Sequence, residues 1–201
     1  FGKDTHLQIG TLLKGQNCHK VLIHYGGHSA VKSGLIDEIK KNLDEAGIAY
    51  VTLGGVVPNP RLSKVREGIE LCRRENVDFL LAVGGGSVID SCKAIGYGLA
   101  NPETDVWKFF LRTETPKACL PVGVILTIAA SGSEMSNSCV ITNEEGWLKR
   151  STARNDLCRP RFAILNPRLT YTLPQYQTES GCVDILMHTM ERYFVNIESM
   201  E

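Results

Sequence analysis

The chain has 201 residues, of which 43% are hydrophobic and 22% charged, and its 22 basic residues balance 22 acidic ones. That suits one core plus the start of a second domain, and a neutral chain has no long-range pull on nucleic acid. No apolar run approaches the roughly 18 residues that cross a bilayer, and the seven cysteines, none spaced Cys-x-x-Cys, read as reduced thiols of a cytoplasmic protein.

The apolar run 20–25 predicts a first strand, and Gly26-Gly27 follow it. Leu35, Ile36, Ile39 and Leu43 share one face of a helix expected over 33–46, with Gly47 as its stop. A second strand is expected over 48–53, then a break at Gly54-Gly55 and Pro58-Asn59-Pro60. A helix over 63–75, a buried strand over 77–83, a helix over 88–99 and a strand over 121–128 complete the pattern. Alternation of this kind predicts an α/β fold, a parallel Rossmann-like sheet with helices on both faces. Leu173-Pro174 and the polar stretch 175–180 read as a hinge, and a further helix over 181–196 as the first of an all-α domain. The expected domains are therefore 1–174, binding a dinucleotide, and 175–201, the start of a helical metal-binding domain.

Gly84-Gly85-Gly86-Ser87 lies between a buried strand and a helix. Such a turn brings backbone close to a ligand and offers the helix's free amides and positive end to a pyrophosphate. Taken alone, three glycines serve a tight turn equally well. The segment lacks both the Gly-x-Gly-x-x-Gly spacing and the Lys-Ser/Thr of a P-loop.

Read together, three segments carry a resemblance. Residues 84–94, GGGSVIDSCKA, are similar to the GGGSxxDxxK segment of the iron-containing, group III alcohol dehydrogenases. Pro58-Asn59-Pro60 and 126–134, LTIAASGSE, match further segments of that family in order and spacing. The likeness is greatest to its butanol dehydrogenase and aldehyde reductase branch. It implies hydride transfer between a nicotinamide cofactor and a small primary alcohol or aldehyde, in a homodimer.

By position, the resemblance implies that Gly85, Gly86 and Ser87 hold the pyrophosphate, while Thr127 and Ser131 bond the cofactor near its nicotinamide end. Lys149 reaches a nicotinamide-ribose hydroxyl, and Leu169 lines the adenine side or the cleft wall. Asp90, between cofactor and substrate, is the candidate catalytic residue. NAD-preferring members of the family tend to carry an Asp just after the first strand. Here Gly26, Gly27 and Ser29 stand there, with His28 and Lys32 nearby, which favours NADP(H) over NAD(H). The other reading is a plain turn with Ser29 as a helix cap.

Asp184 and His188 are spaced i, i+4, which puts them on one helix face. Alone, that spacing is commonly a surface ion pair. The resemblance makes them two of four ligands to Fe²⁺ or Zn²⁺, the other two being histidines later than residue 201, so the 201 residues are expected to hold a metal weakly or not at all. Glycerol dehydrogenases and dehydroquinate synthases share the glycine-rich loop and stand as alternatives, as does a non-catalytic nucleotide-binding module if the chain ends at Glu201.

Overall fold

The computed structural model describes residues 1–195. It contains α1 (Ile9–Gly15), β1 (Lys20–Tyr25), α2 (Ser29–Lys32), α3 (Leu35–Ala46), β2 (Ala49–Leu53), α4 (Leu62–Glu75), β3 (Phe79–Gly84) and α5 (Gly86–Ala100). After these come α6 (Trp107–Leu111), β4 (Val122–Leu126), β5 (Val140–Asn143), β6 (Leu148–Ser151), β7 (Phe162–Ile164) and α7 (Gln175–Tyr193). Five strands form one sheet in the order β2-β1-β3-β4-β7, and every pairing in it is parallel. β5 and β6 make a separate antiparallel hairpin.

Strand alternation sends side chains to two cores. Val21, Ile23, Phe79 and Leu81 pack with Ile9 and Leu13 of α1 and Leu35, Ile39 and Leu43 of α3. Leu22, Leu80, Val122 and Val124 face the other way, onto Val65 and Ile69 of α4, Ile89 and Ile95 of α5, and Phe110 of α6. The expected sheet with helices on both faces is what forms.

Boundaries differ where local chemistry wins. The helix expected over 33–46 starts two residues later, as α3, because Gly34 takes a left-handed φ of 79° and separates it from the short α2 before it. The hinge expected over 175–180 is helical instead: Pro174 sits at the N-cap and α7 runs on from Gln175. Position 196, the last of the expected final helix, lies outside the described residues. The pattern did not reveal α1, α6, β7 or the β5–β6 hairpin. All are short, and their burial comes from distant partners. Among the described residues, no helix is long and apolar enough to cross a membrane.

The order in which strands are added reverses between β1 and β3, and open parallel sheets bind ligands beyond such a switch point. His24 fixes it. The ring is fully buried, its Nδ1–H donates to the Leu53 carbonyl at 2.7 Å, and Nε2 accepts from Ser91 Oγ at 2.9 Å. One neutral imidazole thus ties β1 to the end of β2 and to α5.

Burial lowers the His24 pKa from 6.5 to about 4. The unfolded chain therefore takes up this proton first. His24 is neutral in both states above pH 6.5, and its contribution to stability is lost as pH falls from 6.5 toward 4. The full loss is about 3 kcal/mol. Denaturant unfolding at pH 7, 5.5 and 4.5 is expected to show this slope in the wild type and a shallower one in His24→Gln; equal slopes would refute the assignment.

Candidate functional site

β3 is buried along its whole length and delivers the chain to Gly84-Gly85-Gly86-Ser87. α5 starts at Gly86 with no side-chain cap, so its first amides lack helical acceptors and face outward at the positive end of the dipole. The segment after β4 lies directly on this turn. A Cβ on Gly85 would come 2.5 Å from Ile128 Cγ2, and one on Gly86 would collide with Ser131 Oγ. The Thr127 amide donates to the Gly84 carbonyl at 3.2 Å. A side chain on Gly86 would have to displace the Ser131 hydroxyl.

The loop is held from beneath by Lys93. Its side chain is fully buried on α5, and its ammonium meets five oxygens: the Ser133, Ser136 and Ser138 carbonyls at 2.7, 2.9 and 3.0 Å, and the Ser133 and Ser136 hydroxyls at 3.2 and 3.0 Å. Burial lowers its pKa, opposed by the nearby acidic groups Cys158 and Asp90. One helical turn earlier, Asp90 accepts from Ser133 Oγ through Oδ1 and from the Val140 amide through Oδ2, the latter at 3.0 Å. Burial pushes the Asp90 carboxyl up, while those two hydrogen bonds and the charges of Lys93 and Lys149 pull the other way.

A cleft of about 540 Å³ opens here, lined by Gly85, Gly86, Ser87, Asp90, Ser131 and Lys149 together with the Pro58–Pro60 loop. The structure thus brings six of the sequence candidates to one place. Lys149 stands on β6, and its ammonium donates to Asn59 Oδ1 at 2.7 Å.

Ser29, Thr127 and Leu169 line a second hollow of about 370 Å³, which Ser131 does not border. Thr127 and Ser131, expected to serve one end of the cofactor, line different hollows. Two carboxylates line the second hollow, and both are already paired: Asp4 with Arg168 at 3.0 Å and Glu38 with His6 at 2.9 Å. Gly26 and Gly27 line neither hollow. A Cβ on Gly27 would meet nothing within 4 Å, so that backbone faces open space.

Asp90, expected as the catalytic residue, stands in the cleft wall. Each of its oxygens accepts one hydrogen bond, from Ser133 and from Val140, so the carboxylate also holds the loop and the hairpin in place. Lys93 was missed as a site residue, although its i, i+3 spacing from Asp90 on a helix otherwise buried was a readable signal. Asp184 and His188 share one face of α7, with Oδ1 and Nε2 3.7 Å apart and both side chains exposed. A carboxylate and an imidazole so placed are a suitable donor pair for a divalent ion, but among the described residues no third His, Cys, Asp or Glu joins a metal-binding group with them.

The sequence profile described as iron-containing alcohol dehydrogenase matches residues 1–167. This chain belongs to that family. Within it, a probable NADH-dependent butanol dehydrogenase 2 of Bacillus subtilis is 46% identical over 99% of this chain and 50% of its own length. An NADPH-dependent aldehyde reductase of Escherichia coli is 39% identical over 87% of this chain and 45% of its own. The crystal structure of an NADH-dependent butanol dehydrogenase A from Thermotoga maritima superposes with a TM-score of 0.91 at 41% identity, covering 96% of this chain and 48% of that one. The chain therefore spans about half the length of the relatives it matches.

Replacing Lys93 by Met keeps the length and removes the charge, taking a donor from three carbonyls and leaving that of Ser136 without one. The expected loss is about 3 kcal/mol of stability and weakened nucleotide binding, read by thermal unfolding and titration. A variant as stable as wild type would show that the loop does not depend on this ammonium.

Proposed function

We propose that this chain is the cofactor-binding part of a family enzyme that transfers a hydride between NADP(H) and a small primary alcohol or aldehyde. The observation that carries the reading is the convergence of Gly85, Gly86, Ser87, Ser131 and Lys149 on one cleft at the open N-terminus of α5. Relatives named as butanol dehydrogenases and aldehyde reductases supply the substrate class.

In this reading residues 1–174 form the dinucleotide domain, and those from 175 onward begin the helical metal-binding domain. The amides of Gly85, Gly86 and Ser87 take the pyrophosphate, and Ser131 bonds the cofactor on the nicotinamide side. Lys149 gives a hydrogen bond to the nicotinamide ribose. Thr127 and Leu169 border the adenosine, with Ser29 beside its ribose. Asp90 acts through Ser133 and Val140 to hold the walls. The nicotinamide supplies the hydride chemistry, and distance and orientation come from the protein. Asp184 and His188 would hold two positions of a divalent ion, Fe²⁺ or Zn²⁺, whose Lewis acidity polarises the substrate oxygen.

The choice of NADP(H) rests on the absence of a carboxylate at Gly26–Ser29 and on the open space at Gly27, which leave room for a 2′-phosphate. The second reading is NADH, favoured by the names of the relatives that are 46% and 42% identical. Titration of the full-length protein with both nucleotides decides between them. NADPH is expected to bind at least tenfold tighter, about 1.4 kcal/mol, with Gly86→Val abolishing binding of either. Equal or reversed affinities would remove the NADP(H) assignment; no binding of either would remove the cofactor reading. Separately, Asp184→Ala and His188→Ala are each expected to lower the metal content of the purified protein by at least tenfold, and unchanged content would exclude the pair as ligands.

A further inference from the structure

Trp147 is an anomaly at the tip of the β5–β6 hairpin. It follows Gly146 (φ 74°) and itself holds a left-handed φ of 54°, a conformation that a bulky side chain disfavours by about 1–2 kcal/mol. It is also 65% exposed, so burial of its ring does not offset this. What meets the ring is the Arg61 guanidinium, 4.5 Å from its centroid. Arg61 directly follows Pro58-Asn59-Pro60, the loop that forms the opposite wall of the cleft.

Other contacts join the same two segments. The Thr142 amide donates to the Pro60 carbonyl at 2.8 Å. Glu144 accepts from the Ser63 hydroxyl and from the Ser63 amide, the latter at 3.3 Å, and so caps the N-terminus of α4 from outside. Burial works against the Glu144 charge, but these hydrogen bonds and Arg61 outweigh it and hold its carboxyl below the usual range. Lys149 comes two residues after Trp147, and its ammonium reaches Asn59 in that loop. Hairpin and loop are thus latched along their length, with the Arg61–Trp147 stack at the outer end and Lys149 at the cleft.

We propose that Trp147 and Arg61 are positioning residues: their stack locks the hairpin tip onto the 58–63 loop and so holds the Lys149 ammonium over the cofactor cleft. The inference rests on the cofactor reading above. It explains why an aromatic residue occupies a turn position that glycine or asparagine would fill without strain. The strain is retained because the ring is needed where the guanidinium can cover it.

Trp147→Gly separates this role from folding, since glycine takes the observed backbone freely and only the ring is lost. In the full-length protein, Trp147→Gly and Arg61→Met are each expected to raise the NADPH Kd about three- to fivefold, with the melting temperature of Trp147→Gly no lower than wild type. Two double variants complete the cycle. Trp147→Gly with Arg61→Met should bind no more weakly than either single variant. Trp147→Gly added to Lys149→Met should cause no further weakening. An unchanged Kd in Trp147→Gly, or equal weakening with and without Lys149, overturns the proposal while leaving the cofactor reading in place. Failure of the wild type to bind either nicotinamide nucleotide overturns both.

Discussion

The site depends on one buried ammonium. Lys93 leaves water completely, which is tolerable only because oxygens of Ser133, Ser136 and Ser138 surround it. Those oxygens belong to an irregular loop in which the Ser136 carbonyl has Lys93 as its donor and the Ser133 and Ser138 carbonyls gain a second one. Each side of the arrangement removes the other's penalty. The consequence reaches the chemistry, because the same loop sets Ser131 against Gly86 and Ser133 against Asp90. A segment of this kind, with little regular hydrogen bonding of its own, takes one shape because a cation is fixed beneath it.

From this anchor the groove acquires two ends. The β3–α5 turn borders the larger of them and opens a helix with no side-chain cap. One hollow is bordered by Ser131, Asp90 and Lys149 and the other by Ser29, Thr127 and Leu169. A dinucleotide has the corresponding form, two nucleosides joined by a pyrophosphate. α7 then leaves from the rim, with Pro174 and Gln177 beside the second hollow. Its Val183, Leu186, Met187 and Met190 are exposed, an apolar surface of the sort that calls for a covering partner.

Much of this was legible in the residues. The periodic helices and the strand–glycine–helix junction could be read because local pattern and tertiary burial agree there. Six cleft residues were found by position in motifs, and the structure assembles them. What could not be read depends on contacts between distant segments. The hairpin rests on pairing across a four-residue tip and on Glu144 reaching Ser63. Thr127 ends up on a different hollow from Ser131 although only three residues separate them. Asp90 has the residue type of a catalytic acid, and no single-sequence pattern shows that Ser133 and Val140 hydrogen-bond its two oxygens.

Hydrogen–deuterium exchange of the full-length protein, with and without saturating NADPH, tests the central claim most directly. If the loop anchored by Lys93 and the turn at Gly84–Ser87 together form the cofactor cradle, peptides covering 84–90 and 127–138 will gain protection together on binding. Replacement of Lys93 by Met will weaken protection in both. Binding that protects other parts of the chain and leaves these two segments unchanged would contradict the account.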